Sequence, residues 1–142
     1  MRRSRESFEA ELATVPLFQA LSDAQLAELA RRATRAREPA GMTFSKEGER
    51  GDELVIILDG DVEVRHDGAR LGVLGPGDFV GEVALLDESA RRTATVVALT
   101  PVVVAYIGRH DFEYLAAAAP GLLESIQATM RARLASNDHR MP

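Results

Sequence analysis

Cysteine is absent from the 142 residues, which removes disulfides, zinc–thiolate sites and thiol catalysis. A basic excess is absent too: 17 Lys and Arg stand against 22 Asp and Glu, a net charge of −5. A protein that neutralises many phosphates usually carries a positive balance. No nucleic acid is therefore expected as a partner of this chain alone, although one small anion can still be held by a local set of donors. No stretch reaches the roughly 18–20 apolar residues of a membrane span. The start, "MRRSRESFEAEL", has arginines with no apolar run behind them and does not read as a secretory signal, so the expected location is cytoplasmic. The histidines His66, His110 and His139 form no HxH or HxxxH pair, which argues against a metal enzyme built on clustered histidines. There is no G-x-S-x-G elbow, and "GERGDE" lacks the Lys-Ser/Thr end of a nucleotide-binding P-loop. The chain is not expected to be an enzyme or to carry a cofactor.

What is present suits a single domain, 1–142, with ordinary apolar (46%) and charged (27%) fractions. Nine of the eleven glycines fall between Gly41 and Gly81, splitting the chain into helical flanks and a turn-rich centre. In the first flank, about 6–38, Ser22 and Gln25 make a capping box, and Leu26, Leu29, Ala30 and Ala33 follow at helical spacing. "VPLFQAL" before it reads as a short turn, and Pro39 and Gly41 stop the flank. The centre, about 40–108, reads as strands. Val55 to Ile57 is a β-branched run, Val62-Glu63-Val64-Arg65 alternates, and Asp67-Gly68 signals a type I′ hairpin. "TATVVAL" and "VVVAYI" add two more β-rich segments around Thr100-Pro101. Short strands at close spacing argue for an antiparallel sandwich or barrel. The last flank, about 109–136, is helical, broken at Pro120-Gly121, with a stripe of Leu122, Ile126, Met130 and Arg133 or Leu134 at helical spacing. Asp87, Glu88 and the acidic residues of the hairpin read as solvated surface.

The stretch "GEVALLDESARRTAT", residues 81–95, carries the chemistry. Gly81 follows an apolar strand end, Phe79-Val80, and the residues after it read as one short helical turn. A helix start presents unpartnered N–H groups and partial positive charge, which suits an anion. An arginine from the next strand can complete it with a charge-assisted, bidentate grip on phosphate. Glu82 cannot face the phosphate, but it can accept a hydrogen bond from a nearby hydroxyl. Strand alternation puts Arg91 and Arg92 on opposite faces.

The order Gly-Glu-Val-Ala-Leu, a short gap, then Arg-Thr-Ala-Thr resembles the phosphate-binding cassette of the cyclic nucleotide-binding domains. These occur in the catabolite activator protein family, in kinase regulatory subunits and in cyclic nucleotide-gated channels. "VPLFQALSDAQLAELA", "GERGDELVIILDGDVEV", "LGPGDFVGE" and "YIGRHDFEYL" extend the resemblance from about Phe8 to Arg133.

The resemblance implies a mainly β fold, an eight-stranded antiparallel jelly-roll with an N-terminal helical segment and C-terminal B and C lid helices. It implies a cyclic purine mononucleotide, cAMP or cGMP, as ligand. By motif position, Gly81 offers its backbone to the ribose and Glu82 binds the 2′-hydroxyl. The N–H groups of Val83 and Ala84 hold the cyclic phosphate, and Arg92 carries the essential positive charge. Thr93 can reach phosphate and purine, and permits both ligands. Val64 stands as a wall of the base pocket, or as plain core. Arg133, on the lid helix, can stack on the purine, or stand solvated.

The expected output is a contact of the lid helix with an unidentified protein partner or with a second copy in a homodimer. Two other readings stand beside this sensor module. One is a degenerate jelly-roll that binds no nucleotide and serves interaction or dimerisation. The other is a Crp/Fnr-type transcription regulator cut before its helix-turn-helix domain, because the chain ends too early to contain one.

Overall fold

A computed structural model describes residues 2–45, 48, 53–81 and 94–140, with side chains at 7–45, 48, 53–81, 94–129, 131 and 132. The chain opens with α1 (Arg2–Ala13), a 3-10 turn (Pro16–Phe18) and α2 (Asp23–Arg32). Phe8 and Leu12, four residues apart, put α1's buried side on the core. Pro16 starts the 3-10 turn, where its missing N–H costs nothing. The capping box at α2 is present in both halves: Gln25 N–H donates to Ser22 Oγ at 3.1 Å, and Ser22 N–H donates to Gln25 Oε1 at 2.8 Å.

Among the described residues eight strands follow: β1 (Thr34–Glu38), β2 (Thr43–Ser45), β3 (Glu53–Asp59), β4 (Val62–His66), β5 (Ala69–Leu74), β6 (Phe79–Val80), β7 (Thr95–Ala98) and β8 (Val102–Gly108). They form two four-stranded antiparallel sheets, β1-β8-β3-β6 and β2-β7-β4-β5. Two further helices, α3 (Arg109–Ala118) and α4 (Pro120–Arg140), close the described chain. This is the mainly β, eight-stranded jelly-roll with flanking helices expected above. The type I′ hairpin is also there: Asp67 (φ 51°) and Gly68 (φ 78°) join β4 to β5, with His66 opposite Ala69.

Two apolar clusters explain the layering. Leu54, Ile56, Phe79, Ala105 and Ile107 face the helices and pack with Leu12, Phe18, Leu29, Leu115, Leu122 and Ile126. Val55, Ile57, Val80, Val102 and Val104 face the other way and meet Val62, Val96 and Ala98 across the roll. The first sheet is thus covered on both faces, which is why β3 reads as an unbroken apolar run. The second sheet buries one face against the roll interior.

Three boundaries differ from expectation. The first flank starts at Arg2 rather than about residue 6, and its last helix ends at Arg32. Residues 34–38, read as helical flank, form β1: this strand pairs with β8 from Thr34↔Tyr106 to Glu38↔Val102 and sends Ala36 into the roll. Cross-strand pairing decides the state of a segment whose own propensity is weak. The roll therefore begins at Thr34, and α4 runs to Arg140 rather than about 136. Among the described residues, no helix is long and apolar enough to cross a membrane.

Candidate ligand site

Residues 82–93 lie outside the described residues, and with them Glu82, Val83, Ala84, Arg92 and Thr93. The ends of that segment are placed. Gly81 follows β6, half-buried, at φ +94°, a conformation that L side chains rarely adopt. Ala94 immediately precedes β7. β6 is an edge of the first sheet and pairs through Val55↔Val80. β7 is an inner strand of the second sheet, held by β2 and β4. The segment thus leaves one wall of the roll and returns to the other.

The inner surface beside these two ends is apolar. Val64 on β4 is half-buried, stands opposite Val96 of β7, and packs against the inner cluster. Phe44 and Tyr106 meet with ring centroids 6.4 Å apart, tilted by 44°. Tyr106, Val55 and Val80 occupy one row across β8, β3 and β6, and the row leads to Gly81. Burial raises the Tyr106 phenol pKa, and the nearby charges of Glu38 and Glu53 add to the rise. Of the remaining expected residues, Arg133 lies on α4 by its backbone, and its side chain is outside the described set.

Two features were missed by sequence reasoning. Glu63, expected on the solvated hairpin surface, is 3% exposed. Arg65 donates to one of its carboxylate oxygens, and Arg70, across the hairpin, donates to the other at 2.5 Å. The hydrogen bond from Arg65, aided by that from Arg70, holds the carboxyl below its usual range against the opposing effect of burial. The nearby arginines, two and seven positions on, were its sequence signal. Ser45 is also buried, and donates to the Ala94 carbonyl at 3.0 Å; nothing local in "MTFSKEG" marks it.

Behind the roll, Arg32 ties α2 to α3. Its Nε donates to Glu28 at 2.7 Å, its Nη1 donates to Asp111 at 3.1 Å, and its guanidinium lies 3.8 Å over the Tyr114 ring. Gln25 Nε2 also donates to the Ala118 carbonyl at 3.1 Å. The helix from which α4 departs is thereby fixed to the N-terminal helices.

Comparison with known proteins agrees with this layout. Residues 37–119 match the sequence model of the cyclic nucleotide-binding domain. A cyclic nucleotide-gated potassium channel of Rhizobium etli is 37% identical over 118 residues, covering 83% of this chain and 33% of the channel. A cAMP-dependent protein kinase regulatory subunit of Aspergillus niger is 38% identical over 117 residues, 78% of this chain and 27% of the subunit. The chain thus spans a third or less of these two relatives. Among solved structures, PKAR CBD2 bound to Sp-2Cl-cAMPS superposes with a TM-score of 0.82 at 25% identity, over 96% of this chain and 93% of that one.

Proposed function

The chain belongs to the cyclic nucleotide-binding domain family, and from that premise we propose that it is a regulatory module for a cyclic purine mononucleotide, cAMP first and cGMP close behind. The observation that carries the reading is the run Gly-Glu-Val-Ala-Leu to Arg-Thr-Ala-Thr strung between β6 and β7, entered through a glycine at φ +94°. In this reading the Gly81 backbone meets the ribose and Glu82 accepts from the 2′-hydroxyl. The N–H groups of Val83 and Ala84 share the phosphate with Arg92. Thr93 adds a hydroxyl that suits either base, and Val64 with its apolar neighbours forms the base wall. Arg133 on α4 stacks its planar guanidinium over the purine.

The module works by binding rather than by catalysis. Phosphate capture draws the cassette inward and shifts α4 from an open to a closed position. A ligand biases such a switch only through its different affinities for the two positions. The output is a contact of α4 with a protein partner or a second copy. Support comes from the way α4 is attached: Leu122 and Ile126 anchor its first half in the helix-side core, and α3 is clamped to α2 through Arg32.

Parallel calorimetric titrations with cAMP and cGMP test the proposal. Losing one member of a buried charge pair costs about 3–5 kcal/mol, so Arg92→Ala should weaken binding by about two orders of magnitude or more while the fold survives. Equal affinity in variant and parent sinks the assignment. A parent that takes up neither nucleotide is instead an interaction module built on the same roll.

A further inference from the structure

Among the described residues, two polar side chains are buried, Glu63 at 3% and Ser45 at 8% exposure. Burying a polar group is unfavourable unless a partner compensates it, so each needs a reason. Glu63 has its two arginines. The Ser45 hydroxyl donates to the main-chain carbonyl of Ala94 at 3.0 Å.

The local geometry shows how Ser45 comes to point there. β2 is three residues long, and its register against β7 slips within them: Thr43 stands opposite Val97, but Ser45 opposite Val96. A bulge of this kind re-aims the side chain it displaces. On the other side of β7, the ladder to β4 ends at Arg65↔Thr95. Of the hydrogen bonds described on this strand, the one from Ser45 therefore lies furthest toward Arg92, which is two residues before Ala94 in the chain.

We propose that Ser45 is a positioning residue for anion capture: by holding the Ala94 carbonyl it fixes the chain two residues after Arg92, immediately before β7. The inference rests on the reading that Arg92 grips the phosphate. Ser45 itself touches no ligand. A backbone already fixed two residues from Arg92 in the chain surrenders less conformational freedom when that arginine meets an anion, and pre-organisation of this kind raises affinity without adding a contact. The short, bulged β2 thus has a task beyond closing the sheet.

The test uses cAMP as the probe on the parent, Ser45→Ala, Ser45→Thr, Arg92→Ala and the Ser45→Ala/Arg92→Ala pair. The alanine variant should bind about three- to tenfold more weakly, the worth of one hydrogen bond. The threonine variant, which keeps the hydroxyl, should stay within about twofold of the parent. With Arg92 already gone, removing the hydroxyl should change nothing further, a coupling that a general loss of stability would not produce. In the unliganded protein, the amides of Thr95 and Val96 should exchange faster in Ser45→Ala while those of β3 and β8 keep the parent's rates. Equal affinity in parent and Ser45→Ala overturns the inference, as does the same loss in both Arg92 backgrounds. If the parent binds neither cAMP nor cGMP, the nucleotide reading falls on its own. The exchange measurement then still decides whether Ser45 holds the strand: faster exchange supports that hold, and unchanged exchange overturns it.

Discussion

Glu63 sits on β4 between Val73 of β5 and Val97 of β7, with Arg65 and Arg70 closing over it. Alternation along Val62-Glu63-Val64 sends it away from the roll interior, and that part was readable. Its burial was not, because one covering arginine comes from across the hairpin. The carboxyl pKa is lowered in the folded state. Its stabilising effect is therefore complete above the ordinary carboxylate value of about 4.3 and is lost as pH falls through the lower folded value. Glu63→Gln should melt below the parent at neutral pH, and the gap should close as pH falls through the lowered folded value and the parent's own carboxylate is protonated. Melting curves across that pH range check this, and a gap independent of pH refutes it. The expected site residues come from a motif contiguous in sequence, and most of them lie outside the described residues. Ser45, which reaches Ala94 from 49 positions away, was not legible in the sequence.

Helix α4 is the element on which the regulatory reading turns. Leu122 is 1% exposed and Ile126 is fully buried, both in the helix-side cluster. Ile126→Ala removes atoms from a packed core and should cost about 2–5 kcal/mol of stability in a denaturant titration. If α4 also caps the ligand, the same variant should weaken cAMP binding even though position 126 is remote from the cassette in sequence; unchanged affinity would separate α4 from ligand binding. Elements set by local chemistry were readable: the α2 capping box, the Asp67-Gly68 hairpin, and the break before Pro120 that divides α3 from α4. β1 was not. "TRARE" has one inward apolar residue, Ala36, and becomes a strand through pairing with residues 102–106.

The whole molecule should report its ligand through its melting temperature. A ligand at a hundred times its Kd stabilises the folded state by about 2.7 kcal/mol. For a chain of this size that raises Tm by on the order of 10 °C, so a thermal-shift series with cAMP, cGMP and 5′-AMP measures both binding and the need for the ring phosphodiester. No shift with any of the three would leave a roll that serves contact alone. The first sheet also constrains how the molecule is made. Its order, β1-β8-β3-β6, sets β8 between β1 and β3, so until translation has passed Gly108 β1 has no sheet neighbour and β3 has only the two-residue β6. Until then a nascent chain carries Leu54 to Ile57 with no β8 beside them. The ribosome must carry the chain past β8 before that wall can close, and a message broken before Val102 yields a sticky fragment rather than a smaller working domain.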